Sequence, residues 1–203
     1  MCAIVASFDK KKLEELYKLN AYRGEVSYSL SAFQYDEQKV KNLSLDQGLG
    51  KIPESLISEL ADGSYYITHT QAPTTEADNI HPSVYGDCYL WHNGIIKQKS
   101  LSPGTWDTQW LQEQILNYGW SSLSRIDGTF ACLMYNGNDL FVFRNEISPM
   151  YYDMDLNFSS TKFDGSLYLP PNVVHKINLE FKVLEPVAYF DTFENPYYIP
   201  ETT

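Results

Sequence analysis

The stretch FACLMYNGNDLFVF, residues 130–143, decides the fold. Its two halves, FACLMY and LFVF, are apolar at nearly every position. A strand with one wet face alternates apolar and polar residues, whereas a strand covered on both faces reads as a continuous apolar run. Between the halves lies Asn136-Gly137, a dipeptide suited to the tight turn of a hairpin. The stretch therefore predicts two adjacent antiparallel strands, each covered above and below. Such cover comes from a second sheet or from helices.

Further strand-like runs extend outward from this hairpin. They are Cys2–Phe8, Ser27–Tyr35, Ser64–Thr70, Cys88–His92, Thr129–Tyr135, Asp139–Arg144, Met150–Phe158 and Val173–Leu184. Three segments have helical spacing. Lys10–Asn20 carries Leu13, Leu16, Tyr17 and Leu19, and Lys10, Lys11 and Lys12 form its solvated start. Pro53–Leu60 opens on Pro and sets Leu56, Ile57 and Leu60 on one face. Asp107–Tyr118 sets Leu111, Ile115 and Tyr118 on one face, with Asp107 or Thr108 as cap and Gly119 as stop. The order is strand, helix, many strands, helix, more strands. This is an α+β pattern, and a two-sheet sandwich with helices outside satisfies it. Periodicity alone does not separate that sandwich from a simpler α+β arrangement. The 203 residues suit one domain over residues 1–190, with a Pro-containing tail at 191–203.

Bulk chemistry narrows the function. The net charge of −11 argues against a nucleic-acid partner, since phosphate binding needs clustered Lys and Arg. No segment approaches the ~18 apolar residues of a membrane span, and the start lacks the pattern of a secretion signal. Cys2, Cys88 and Cys132 are odd in number and widely spaced, which fits neither a disulfide framework nor a zinc site. A cytoplasmic location, no metal and no cofactor are expected.

The front of the chain, MCAIVASF, carries reactive chemistry. Cys2 sits directly ahead of a run that reads as a buried strand. One reading makes it a small hydrophobe. The other begins with removal of Met1, which would give Cys2 a free amine beside its own thiol. That amine has a pKa of roughly 7.7–8.0 and the thiol about 8.5, so the residue brings its own base.

Several downstream stretches join this front: AYRGEVSYSLSAF, THTQAPTT, WHNGII, TWDTQWL, RIDGTFACLMY, FRNEISPMYYD and LPPNVVHKINL. In this order they resemble the glutaminase domain of class II glutamine amidotransferases, as in asparagine synthetase, glucosamine-6-phosphate synthase and amidophosphoribosyltransferase. The resemblance covers about residues 1–185. It implies the N-terminal nucleophile hydrolase fold, a four-layer αββα sandwich of two stacked antiparallel sheets. It also implies a reaction, in which Cys2 attacks the side-chain amide of glutamine, ammonia leaves, and water clears a thioester.

Carried over residue by residue, the resemblance makes Cys2 the nucleophile and pairs Arg23 with Gly24 beside it. Asn93 and Gly94 become the oxyanion hole, through a side-chain amide and a backbone N–H. The rival reading of Asn93-Gly94 is a hairpin turn. Asp107 becomes the carboxylate for the substrate's α-ammonium, alongside its reading as a helix cap. His69, Gln71 and Thr74 fall in the family's His-x-Arg-x-x-Thr stretch. Here Gln71 replaces the Arg that grips the α-carboxylate, which weakens glutamine binding unless Arg23, Lys97 or Arg125 compensates, or points to a related amide. Ala3, Gln109 and Asn145 also depart from the family pattern. No phosphate loop follows the domain, so the expected function is a stand-alone glutaminase, with a separate ammonia-accepting synthase subunit as a possible partner. The alternative is a catalytically impaired interaction module that keeps the fold.

Overall fold

A computed structural model describes residues 2–72, 79–97, 101–102 and 104–194. In chain order the elements begin with β1 (Ala3–Ser7), α1 (Lys10–Asn20), β2 (Ser27–Asp36), β3 (Lys39–Leu49), α2 (Glu54–Glu59) and β4 (Tyr65–Gln71). There follow β5 (Ser83–Tyr85), β6 (Cys88–Ile96), α3 (Asp107–Tyr118), β7 (Gly128–Tyr135) and β8 (Leu140–Arg144). The last are β9 (Tyr151–Tyr152), β10 (Phe158–Ser159), β11 (Leu167–Tyr168), β12 (Val173–Asn178) and β13 (Val183–Tyr189).

The strands form two antiparallel sheets. The first has the order β11-β9-β10-β1-β4-β2-β3, and the second β13-β12-β8-β7-β6-β5. Three apolar layers explain their coverage. Ile4, Ile67, Trp91, Leu133 and Val142 fill the space between the sheets. Val5, Leu30 and Tyr66 meet Leu13 and Leu16 of α1 on the outside of the first sheet. Phe130, Cys132, Met134 and Phe143 meet Leu111 and Ile115 of α3 on the outside of the second. Residues 130–135 thus alternate between two cores rather than between core and water, which is why they are all apolar. This is the αββα sandwich.

Local chemistry sets the helices. The Asp9 side chain caps α1, accepting from the N–H of Lys11 at 2.7 Å and of Lys12 at 3.2 Å. Trp106, not Asp107 or Thr108, occupies the N-cap of α3, so Asp107 lies one position inside. Gly119 ends α3 at φ +72°, with its N–H donating to Ile115.

Four features were not legible in the sequence. β3 is an edge strand, KVKNLSLDQGL, with Val40 its one buried residue, so apolar density does not reveal it. β5 is three residues long. The run Val173–Leu184 is a hairpin, β12 and β13, turned where Asn178 Oδ1 accepts from the N–H of Glu180 and Phe181. The run Met150–Phe158 is broken into β9 and β10 by Asp153, whose carboxylate accepts from the N–H of Asp155 and Asn157. The 136–139 turn is the expected hairpin, with Asn136 Oδ1 accepting from the N–H of Asn138 and Asp139. Its tip also reaches the first sheet, where Val40 N–H donates to Asn138 O at 2.6 Å. Of the expected tail, residues 191–194 continue past buried Phe190, and Asp191 N–H donates to Ser124 Oγ at 3.1 Å. The remainder lies outside the described residues.

Leu133 and Met134 are neighbours on β7 facing different cores. Leu133→Ala and Met134→Ala should each lower the unfolding free energy in urea by about 2–5 kcal/mol. A sheet covered on one face only would leave one of the two near neutral.

Candidate functional site

Cys2 stands at the mouth of β1, and β1 is held from both sides. It pairs with β4 from Ala3↔Thr70 to Ser7↔Tyr66, and with β10 at Val5↔Ser159 and Ala6↔Phe158. Ile4 N–H donates to Ser160 Oγ at 3.0 Å, and Ser160 N–H returns to Ile4 O at 3.1 Å. Residues 3–7 are all buried. β1 is therefore fixed rather than frayed, and Cys2 just ahead of it is half-buried.

Two expected site residues converge on its backbone. Arg23, on the short 3₁₀ turn after α1, donates from Nε to the Cys2 carbonyl at 2.8 Å. Asn93 completes the cluster when its amide is oriented so that both ends find partners. Its nitrogen then donates to the same carbonyl at 3.1 Å, and its oxygen accepts from Arg23 Nη2 and Ser160 Oγ, each at 3.2 Å. Asn93 comes from the second sheet, so the cluster ties the two sheets together at Cys2.

The two glycines have steric reasons. At Gly24, φ +141°, a Cβ would lie 2.4 Å from Ala72 Cβ and 2.5 Å from Ala72 N. That close approach holds Ala72, whose N–H favours the thiolate of Cys2. Gly94 lies inside β6, opposite Phe130, and not in a turn. The hairpin reading of Asn93-Gly94 is thereby corrected: β6 runs straight through it. A Cβ on Gly94 would fall 1.9 Å from Thr129 O, so a glycine lets β6 and β7 close together there.

Asp107 accepts the N–H of Ile96 on Oδ2 at 3.1 Å, which couples the start of α3 to the end of β6. Its charge reaches Cys2. Burial is the largest influence on the thiol and pushes its pKa up; Ala72 N–H and Arg23 oppose this, and Asp107 adds to it.

The far side of the site is a buried polar cluster. Continuing the Ala3↔Thr70 register by one residue sets Gln71 across from Cys2. One terminus of the Gln71 amide lies 3.2 Å from Ser27 Oγ and 3.4 Å from His81 Nδ1. The His81 ring stacks on His69 at 4.0 Å and meets Trp106 edge-on. His81 Nε2 and His92 Nδ1 flank Thr108 Oγ1 at 3.0 and 3.1 Å. His92 Nε2 donates to Thr129 O at 3.2 Å, and His69 Nε2 donates to His92 O at 3.3 Å. Burial drives the pKa of His69 down to about 3 and those of His81 and His92 below the ordinary value. Thr74 lies outside the described residues. Among the described residues no group of three or more His, Cys, Asp or Glu side chains is placed to hold a metal, and no helix is long and apolar enough to cross a membrane.

Sequence reasoning missed His81 and Thr108. Neither has a local signal, because their contact exists only once α3 packs over β6.

Two sheets stacked face to face between helices give the four-layer αββα sandwich expected above, with Cys2 at the head of a buried strand in the first. The chain superposes on glutamine phosphoribosylpyrophosphate amidotransferase from B. subtilis, complexed with ADP and GMP, with a TM-score of 0.66 at 18% identity over 92% of this chain and 49% of that one. It superposes on an allosteric regulatory enzyme of purine biosynthesis with a TM-score of 0.65 at 18% identity, over 95% of this chain and 50% of that one. The chain thus spans about half the length of each, and at this identity the likeness is one of fold. No family model matches the sequence, and no curated protein matches it.

The four buried histidines, His69, His81, His92 and His175, make stability depend on acid. Their pKa values are lower folded than unfolded, so the unfolded chain binds more protons below about pH 6.5. Stability is full above that pH and falls as pH drops toward the folded values, by about 1.4 kcal/mol per pH unit for each histidine. Urea midpoints measured from pH 7 to pH 4 should fall steeply, and His69→Gln should flatten the slope. At Cys2, Asp107→Asn should move the midpoint of iodoacetamide labelling to lower pH, followed by peptide-resolved mass spectrometry.

Proposed function

We propose that this chain is a class II-type glutaminase, a hydrolase of primary amides with glutamine as the reference substrate. Excision of Met1 frees the Cys2 amine. That amine takes the thiol proton, directly or through one water, and the sulfur attacks the amide carbon. The tetrahedral oxyanion is met by the Asn93 amide and the Gly94 N–H. The amine returns the proton to the leaving nitrogen, ammonia departs, and water hydrolyses the thioester on Cys2. Asp107 holds the substrate's ammonium end. Arg23 positions the nucleophile by fixing its carbonyl, and Gly24 allows the close approach of Ala72.

The observation that carries this reading is the convergence of Arg23 and Asn93 on the Cys2 carbonyl, at 2.8 and 3.1 Å, at the head of an anchored strand. A free thiol at this place is chemically useful only if it is accessible, and Cys2 is half-buried rather than sealed. The ammonia would pass to a separate synthase subunit or to solvent. The three cysteines are unpaired, which suits a reducing compartment such as the cytoplasm.

A second reading, an impaired module that keeps the fold for binding a partner, draws on Gln71. It offers a neutral amide where a charge-assisted grip on a carboxylate would stand.

The test begins with mass spectrometry of the protein from its own cell, which should find Met1 removed. Processed protein should release glutamate and ammonia from glutamine and be labelled at Cys2 by diazo-oxo-norleucine. Cys2→Ala should lose both, and Asn93→Ala should lower kcat by about 10²–10³-fold. Processed protein that neither turns over nor is labelled would leave the impaired module standing. Recovery of no second protein by co-purification would count against the synthase subunit.

A further inference from the structure

The buried chain Thr129–His92–Thr108–His81–Gln71 has a direction, and one end of it fixes that direction. The main-chain oxygen of Thr129 is an acceptor only. His92 Nε2, 3.2 Å away, therefore carries the proton. A neutral imidazole has one N–H, and burial keeps His92 neutral despite the nearby Asp107. Its Nδ1 is thus bare and accepts from the Thr108 hydroxyl at 3.1 Å. The hydroxyl proton is committed on this side, to His92 Nδ1 or to Asp107 Oδ1 3.4 Å away, so in either case Thr108 Oγ1 accepts from His81 Nε2 at 3.0 Å. His81 is also buried and neutral, so its Nδ1 is bare.

That bare nitrogen faces one terminus of the Gln71 amide at 3.4 Å. The atom opposite a lone pair must be the amide nitrogen. As placed, that terminus is Oε1 and accepts from Ser27 Oγ at 3.2 Å; exchanging the two ends of the amide lets its nitrogen donate to His81 Nδ1 and to Ser27 Oγ, and its carbonyl oxygen is then the atom left for a ligand. The reverse direction would set a His92 lone pair against the Thr129 carbonyl or require a charged buried imidazole, and each is costly.

Gln71 shares the inner face of the first sheet with Cys2, one register step past Ala3↔Thr70. Asp107 acts on the same thiol, and the Arg23 guanidinium is engaged by the Cys2 carbonyl and by Asn93. We propose that Gln71 presents a hydrogen-bond acceptor to the site, and that the site takes a primary carboxamide whose far end is an ammonium or other donor in preference to one ending in a carboxylate. This deepens the amide-hydrolase reading and rests on it. His81 is a positioning residue, since it acts by orienting Gln71.

Nitrogen-15 NMR of the imidazoles in the full chain tests the direction without activity. His81 and His92 should both be Nε2–H tautomers, and a Nδ1–H tautomer at His81 overturns the proposal. Calorimetry on Cys2→Ala tests recognition with two amides, 4-aminobutanamide and glutaramate. The first should bind at least about ten-fold tighter, as for a charge-assisted against an opposed contact, and Gln71→Arg should reverse the order. Equal binding, the opposite order, or no binding of either amide overturns it. The two readings fail separately. If processed wild-type protein hydrolyses no amide while Cys2→Ala keeps the expected order, hydrolysis falls and recognition stands. If glutaramate is the better substrate, hydrolysis stands and recognition falls.

Discussion

The structure depends on the way β1 is gripped. A residue at the end of a strand frays unless something ties it down. Here the strand behind it is flanked by β4 and β10, buried along its whole length, and locked at Ile4 by two bonds to Ser160. Arg23 and Asn93 then seize the carbonyl of Cys2 itself. The thiol inherits a fixed position from main-chain bonds, which side-chain packing alone would not give it.

The site is assembled across the gap between the sheets. Gln71 belongs to the first, whose strands β1 and β10 Cys2 and Ser160 directly adjoin; Asn93 and Gly94 belong to the second. Alignment of the sheets is thus alignment of the site. Several polar bonds maintain it. Trp91 Nε1 donates to Ser29 Oγ at 3.1 Å in the middle of the sandwich, and Tyr135 Oη donates to Val40 O at 3.0 Å near the hairpin tip. Each buried polar group in this set has a partner from the opposite sheet, so sliding one sheet over the other would leave them unsatisfied.

Much of the sandwich was legible because a doubly covered strand has an unmistakable composition. FACLMY and LFVF could not belong to a sheet with a wet face. The bounds of α1 and α3 were legible, and Gly119 marks where α3 stops, but the caps were not: Asp9 caps α1, and Trp106 rather than Asp107 or Thr108 stands at the N-cap of α3. β3 was not, since an edge strand with one buried residue looks like a loop. Asn178 and Asp153 were missed as turn formers because each sits among strand-forming neighbours. Cys2, Arg23 and Asn93, which the structure brings together, were expected through a resemblance of short motifs in order, and spacing alone would not have joined residues so distant. Asn93-Gly94 shows the limit of local reading: the dipeptide that favours a turn is here demanded by the approach of Thr129 to β6. The histidine cluster was invisible because it is made by tertiary packing of α3, with no pattern along the chain.

The grip on β1 also governs how the molecule can be made. Ile4 is synthesised well before its partner Ser160, which lies 156 positions later. Until that distant segment leaves the ribosome, the central strand of the first sheet has one open edge and an apolar side chain on each face. Contacts of such sequence separation are slow to form, and exposed strand edges invite wrong pairing. The nascent chain must therefore wait, shielded or aggregation-prone, until residues 158–160 have emerged before Cys2 has a fixed place.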